Sequence, residues 1–109
     1  MRKSLGLPVV TMLLVAGAAW ADPPEIPLVI KDHRFEPATV KVPANTKVML
    51  MVENRDPTPE EFESHDLHRE KVIAGGKTAK IAVGPLKPGT YKFVGEFHED
   101  TAQGAVVVE

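Results

Sequence analysis

Two short segments carry most of the side chains capable of chemistry. Glu96-Phe97-His98-Glu99-Asp100 sets one imidazole among three carboxylates. It lies between an alternating run, Tyr91 to Phe97, and Gly104, which opens the β-branched segment Ala105-Val106-Val107-Val108. Earlier in the chain stands Glu60-Glu61-Phe62-Glu63-Ser64-His65. On an extended strand Glu61, Glu63 and His65 share parity and point to one face, while Phe62 takes the other. Folded to the same end of one domain, the two segments would gather several carboxylates and one or two imidazoles. Such a set, without thiolate, suits Fe(II), Fe(III), Mn(II), Zn(II) or Cu(II) and disfavours Cu(I). Cu(II) leads on intrinsic affinity, and several carboxylates favour the harder Fe(III) over Fe(II).

Positioning those residues requires a compact scaffold. The 109 residues open with Arg2 and Lys3, an apolar stretch from Leu5 to Ala18, and Ala19-Trp20-Ala21. This reads as an export signal cleaved after Ala21, which implies a periplasmic location and a single domain over residues 22–109. The apolar stretch is short for a membrane span. Without Arg2 and Lys3 the chain has 15 acidic and 11 basic residues, a net charge near −4. That balance argues against nucleic acid and anionic lipid as partners. With no cysteine, the domain must hold itself by a buried core rather than by disulfides.

The hydrophobic pattern is that of strands. Ile26, Leu28 and Ile30 alternate, as do Val40 and Val42, and Ala79, Ile81 and Val83. Lys47 to Glu53 is apolar on both parities, which predicts a central strand packed by Met49 and Met51 on its second face. Phe35-Glu36-Pro37 reads as a bend, and Asp66 to Arg69 as a turn of helix. About seven short strands, separated by proline- and glycine-rich turns, predict an all-β fold: an antiparallel Greek-key sandwich. Tyr91 and Phe93 are expected in the core, and His33, at the end of the first strand, at the surface. No cysteine, nucleophile elbow or phosphate-binding glycine loop is present, so an enzyme built on those motifs is not expected.

Several segments in order resemble the cupredoxins: Phe35-Glu36-Pro37, Val40-Lys41-Val42-Pro43-Ala44-Asn45, the strand ending in Asn54-Arg55-Asp56, Pro88-Gly89-Thr90-Tyr91-Lys92-Phe93, and the His98 loop closed by Gly104. The resemblance covers nearly all of residues 22–109 and implies a cupredoxin-like sandwich. Aligned on Tyr91 and Phe93, the copper-binding cysteine of the blue proteins falls on Gly95 and their second histidine on His98. The methionine position falls on Ala102 or Gln103, and the segment Pro59 to Ser64 stands where the first histidine belongs. One ligand of four carries over, so the resemblance implies no blue-copper centre.

Glu61-Phe62-Glu63 and Arg69-Glu70-Lys71-Val72-Ile73-Ala74-Gly75 are similar to the cysteine-less cupredoxin-like domains of bacterial periplasmic iron-uptake systems, which work beside a high-affinity iron permease. That resemblance implies an iron or copper ion as ligand, iron acquisition as the setting, and oxidation of Fe(II) or hand-over to a permease as the action. The expected ligands are His98, Glu61, Glu63 and Glu96, with Glu60, His65, Glu99 and Asp100 in reserve. Two alternatives make different predictions. In a metal-free interaction module, Arg55, Arg69 or Lys71 would neutralise the glutamates. A copper electron carrier of the blue type would need the thiolate that Gly95 lacks.

Overall fold

The computed structural model describes residues 22–109. The export signal expected over residues 1–21 lies outside the described residues. Among the described residues no helix is long and apolar enough to cross a membrane.

Nine strands form among them: β1 (Glu25–Lys31), β2 (Arg34–Glu36), β3 (Thr39–Val42), β4 (Val48–Asn54), β5 (Glu60–Ser64), β6 (Arg69–Ile73), β7 (Thr78–Val83), β8 (Gly89–Gly95) and β9 (Gln103–Val108). They build two sheets, ordered β2-β1-β4-β7 and β3-β9-β8-β5-β6. The alternating side chains Leu28, Ile30, Val48, Leu50, Val52, Phe62, Ile81, Phe93 and Val106 fill the space between them. The fold is therefore the expected all-β sandwich, and its sheets are mixed rather than purely antiparallel. β1 runs parallel to β4, and β3 parallel to β9. The cause lies at Glu36 to Ala38, where the chain leaves the first sheet after β2 and enters the second as β3. Phe35-Glu36-Pro37 thus contributes a short strand, and Phe35 joins the core.

β4 lies between β1 and β7, as a central strand should. Its burial nevertheless alternates, with Met49 and Met51 half-buried on the outer face. The segment read as a helical turn is a hairpin turn, His65 to His68, in which His68 takes φ +56°. It pairs β5 with β6 so that Glu63 lies opposite Glu70. Phe93 packs edge-on to Phe35 at 4.8 Å and stacks on Phe62 at 5.0 Å. This aromatic cluster anchors β5 and β8 to each other and to the opposite sheet, fixing the strands that carry the acidic side chains.

Candidate metal centre

The long connection after β4 is tied down by a buried amide. Asn54 donates from Nδ2 to the carbonyls of Thr58, at 2.8 Å, and Ile73, at 3.0 Å, and its Oδ1 accepts from the N–H of Asp56. Buried polar groups rarely go unpaired, so this network fixes where β5 begins. Glu60 is then the first inward-facing residue of β5, on the same face as Phe62 and Ser64, and only 1% exposed. Its Oε1 accepts from the backbone N–H groups of Glu61 and Phe97, and its Oε2 lies 2.5 Å from Nδ1 of His98. Three donors compensate the burial of one carboxylate.

His98 ends a short 3₁₀ turn, Glu96–His98. The backbone carbonyl of His98 accepts from the N–H of Ala102 at 2.8 Å, and Gly95 donates to the carbonyl of Ala102 at 2.8 Å. Gly95 lets this turn close on β5. A Cβ added there would meet Cβ of Ala102 at 2.7 Å and Cδ of Glu60 at 2.8 Å. The Glu60 carboxylate thus fills the space that a side chain at position 95 would need.

A third group completes this pole. The imidazole of His33 stacks on that of His98, with centroids 3.5 Å apart and planes 10° from parallel. Asp32 and His33 both take left-handed backbone, at φ +52° and +58°, a conformation that costs free energy outside glycine. It is held by Asp56, whose two carboxylate oxygens accept from the N–H groups of Asp32 and His33. Burial alone would raise the Asp56 pKa. The hydrogen bonds from His33 and Asp32, with the positive fields of the His33 and His98 rings, outweigh it and hold the group below its ordinary value. Thr101 adds a hydroxyl bond to the carbonyl of His33.

The other expected ligands gather elsewhere. Glu61 and Glu63 point from the outer face of β5, Glu70 approaches from β6, and Glu96 from the turn after β8. Glu61 is 9% exposed. Burial, a hydrogen bond shared with Glu70 and repulsion from Glu96, Glu70 and Glu60 raise its pKa. A hydrogen bond shared with Glu96, then burial and repulsion from Glu96, Glu70 and Glu61, push Glu63 up to about 7. None of the three basic residues expected to neutralise the group, Arg55, Arg69 and Lys71, pairs with it. Arg55 pairs with Glu53. Arg69 bonds the carbonyls of Ala82 and His68. Lys71 lies opposite Phe62 in the pairing, off the parity of Glu70. Among the described residues no lysine or arginine forms an ion pair with Glu61, Glu63, Glu70 or Glu96. Nor, as the side chains stand, is any group of three or more His, Cys, Asp or Glu among them arranged to hold an ion.

The structure therefore separates the expected ligands into two groups. His98 joins Glu60, while Glu61, Glu63 and Glu96 join Glu70. His65 lies in the exposed hairpin turn just beyond the far end of β5 from Glu60, whose strand spans about 13 Å from Glu60 to Ser64. Glu99 and Asp100 are exposed, and the Glu99 carbonyl accepts from Gln103. Sequence reasoning passed over His33 and Glu70. The Glu63–Glu70 pairing follows once the four-residue turn His65 to His68 is recognised. No spacing rule points to His33, whose place depends on a contact with the loop after β8.

A family profile described as a cupredoxin-like domain matches residues 5–108. The chain belongs to that family. A Rickettsia prowazekii protein, the uncharacterized RP394, is 52% identical over 84 residues, covering 77% of this chain and 67% of its own. Among solved structures, the blue copper protein auracyanin A of Chloroflexus aurantiacus superimposes with a TM-score of 0.69 at 15% identity, covering 81% of this chain and all of its own. The metal-binding domain of the Cu(I)-exporting ATPase CopA of Streptococcus pneumoniae D39 gives 0.69 at 14%, over 78% of this chain and 84% of its own. A purple cupredoxin from Nitrosopumilus maritimus gives 0.59 at 19%, over 77% and 99%. At such identities the likeness is one of fold. A blue-copper centre does not fit this cupredoxin-like domain: Gly95 supplies no thiolate, Glu60 fills the space beside it, and Nδ1 of His98 is bound to Glu60.

Proposed function

We propose that this cupredoxin-like domain captures a transition-metal ion, iron or copper, through oxygen ligands in the periplasm and serves iron acquisition. The observation that carries the reading is the group Glu61, Glu63 and Glu70 from the outer face of β5 and β6 with Glu96 from the turn after β8, four carboxylates without an ion pair to lysine or arginine among the described residues. Carboxylates crowded in this way repel one another unless they are protonated or share a cation. A cation of charge two or three placed among them would remove the repulsion. Hard oxygen donors favour Fe(III) among iron states and accept Cu(II). On this reading the ion is cargo, and its position on the outer face of the sheet suits hand-over to a membrane permease. Oxidation of Fe(II) at the same residues would require an external electron acceptor.

The test is titration of the purified protein with Fe(III) citrate and with Cu(II), comparing wild type with Glu61→Gln/Glu63→Gln. Saturable binding that weakens tenfold or more in the variant supports the reading, and binding insensitive to the change rejects it. The metal-free interaction module predicts neutralising contacts from Arg55, Arg69 or Lys71, and Arg55 and Arg69 bond elsewhere.

A further inference from the structure

His98 in this domain is arranged differently from a histidine waiting for copper at Nδ1. Its Nδ1 faces the buried Glu60 carboxylate; an ionised carboxylate only accepts, so the tautomer that fits carries its proton on Nδ1 and its lone pair on Nε2. Metal-binding histidines commonly donate one ring N–H to a carboxylate, which fixes the tautomer and makes the other nitrogen more basic. Glu60 supplies that carboxylate from a fixed position, because its Oε1 is already bound by two backbone N–H groups. The His98 side chain is 29% exposed, and among the described residues its Nε2 makes no hydrogen bond.

The second imidazole is just as deliberately held. His33 sits in a left-handed turn clamped by the Asp56 carboxylate and by Thr101 Oγ1, and it stacks on His98 at 3.5 Å. Its ring nitrogens also have no protein partner among the described residues. Two nitrogens each about 2.1 Å from one tetrahedral ion lie about 3.4 Å apart, close to the stacking distance. Parallel rings aim their lone pairs side by side, so binding requires the half-exposed His33 ring to tilt. The turn that carries it stays in place.

We propose that His33 and Nε2 of His98 form a bis-imidazole site for a borderline divalent cation such as Zn(II) or Cu(II), with Glu60 as the orienting carboxylate. It is separate from the carboxylate face and does not rest on the function proposed above. With two protein ligands and water completing the shell, the ion exchanges readily, as at a point of transit rather than storage.

The experiment uses purified protein and Zn(II) alone as probe. Ring-nitrogen NMR of the wild type is expected to show the shifts of metal ligation at Nε2 of His98 and at one nitrogen of His33, with His65 and His68 unmoved. His33→Phe preserves an aromatic stack while removing the nitrogens, and it should weaken Zn(II) binding at least tenfold. Glu61→Gln/Glu63→Gln should leave the histidine shifts unchanged, so this proposal and the carboxylate reading fail separately. Shifts confined to His65 and His68, no histidine shift at all, or unchanged Zn(II) affinity in His33→Phe would overturn it. If His33→Phe does not fold, the wild-type spectrum decides.

Discussion

Glu60 is the residue on which the His98 pole is built. Its carboxylate compensates two backbone donors and one imidazole inside the protein. Glu60→Ala strands all three and should lower stability by about 3 kcal/mol, measured by chemical denaturation. Glu60→Gln keeps an acceptor and should cost roughly 1 kcal/mol. Gly95→Ala drives a methyl group against Glu60 and Ala102, an overpacking expected to cost about 1–3 kcal/mol by the same measurement. Glu60's role was partly legible in the sequence, since strict alternation sets it on the face of Phe62. What hid it was its charge, because a glutamate beside two others reads as solvated until three specific donors are known to meet it. His33 was not legible at all: its partner is 65 positions away, and the turn that presents it depends on Asp56.

At the scale of elements, the β5–β6 hairpin and the turn after β8 bring four acids together, and this makes stability depend on pH. The ordinary value for Glu63 is 4.5 and its folded value about 7. Between them the folded chain binds more protons than the unfolded chain, so stability falls as pH rises through that window. Glu61, shifted the same way, adds to the effect. Thermal melts should therefore show a higher midpoint near pH 5 than near pH 8, and Glu63→Gln should flatten the difference. The groups facing Glu63 are Glu61, Glu70 and Glu96, with His65, Asp66 and Lys92 bordering the same depression. Asp56 acts in the opposite sense. Its lowered pKa adds stability above its ordinary value of 3.8, and this is lost as pH falls through the folded value. Asp56→Asn should remove that acid-side loss and loosen the Asp32–His33 turn, seen as faster amide exchange there. The strands were readable from period-two alternation because burial enforces it. The parallel pairs were not, since alternation is blind to strand direction.

For the whole molecule, the sandwich was legible because its core residues recur at the period a strand demands. Which pole or face serves as the site was not, because charged side chains carry no periodic signature and their pairing depends on register. A cation bound only by the folded domain raises its unfolding free energy by about 2.7 kcal/mol at a free concentration one hundred times Kd. For a domain of this size that corresponds to roughly 10–20 °C in Tm. The most direct measurement is a titration of the purified protein with Fe(III) citrate and with Cu(II), wild type beside Glu61→Gln/Glu63→Gln, read by both binding and melting midpoint. Ion capture by the carboxylate face predicts saturable binding and a raised midpoint, both weakened tenfold or more in affinity by the double change. Absence of saturable binding, or binding that the double variant retains in full, would contradict it.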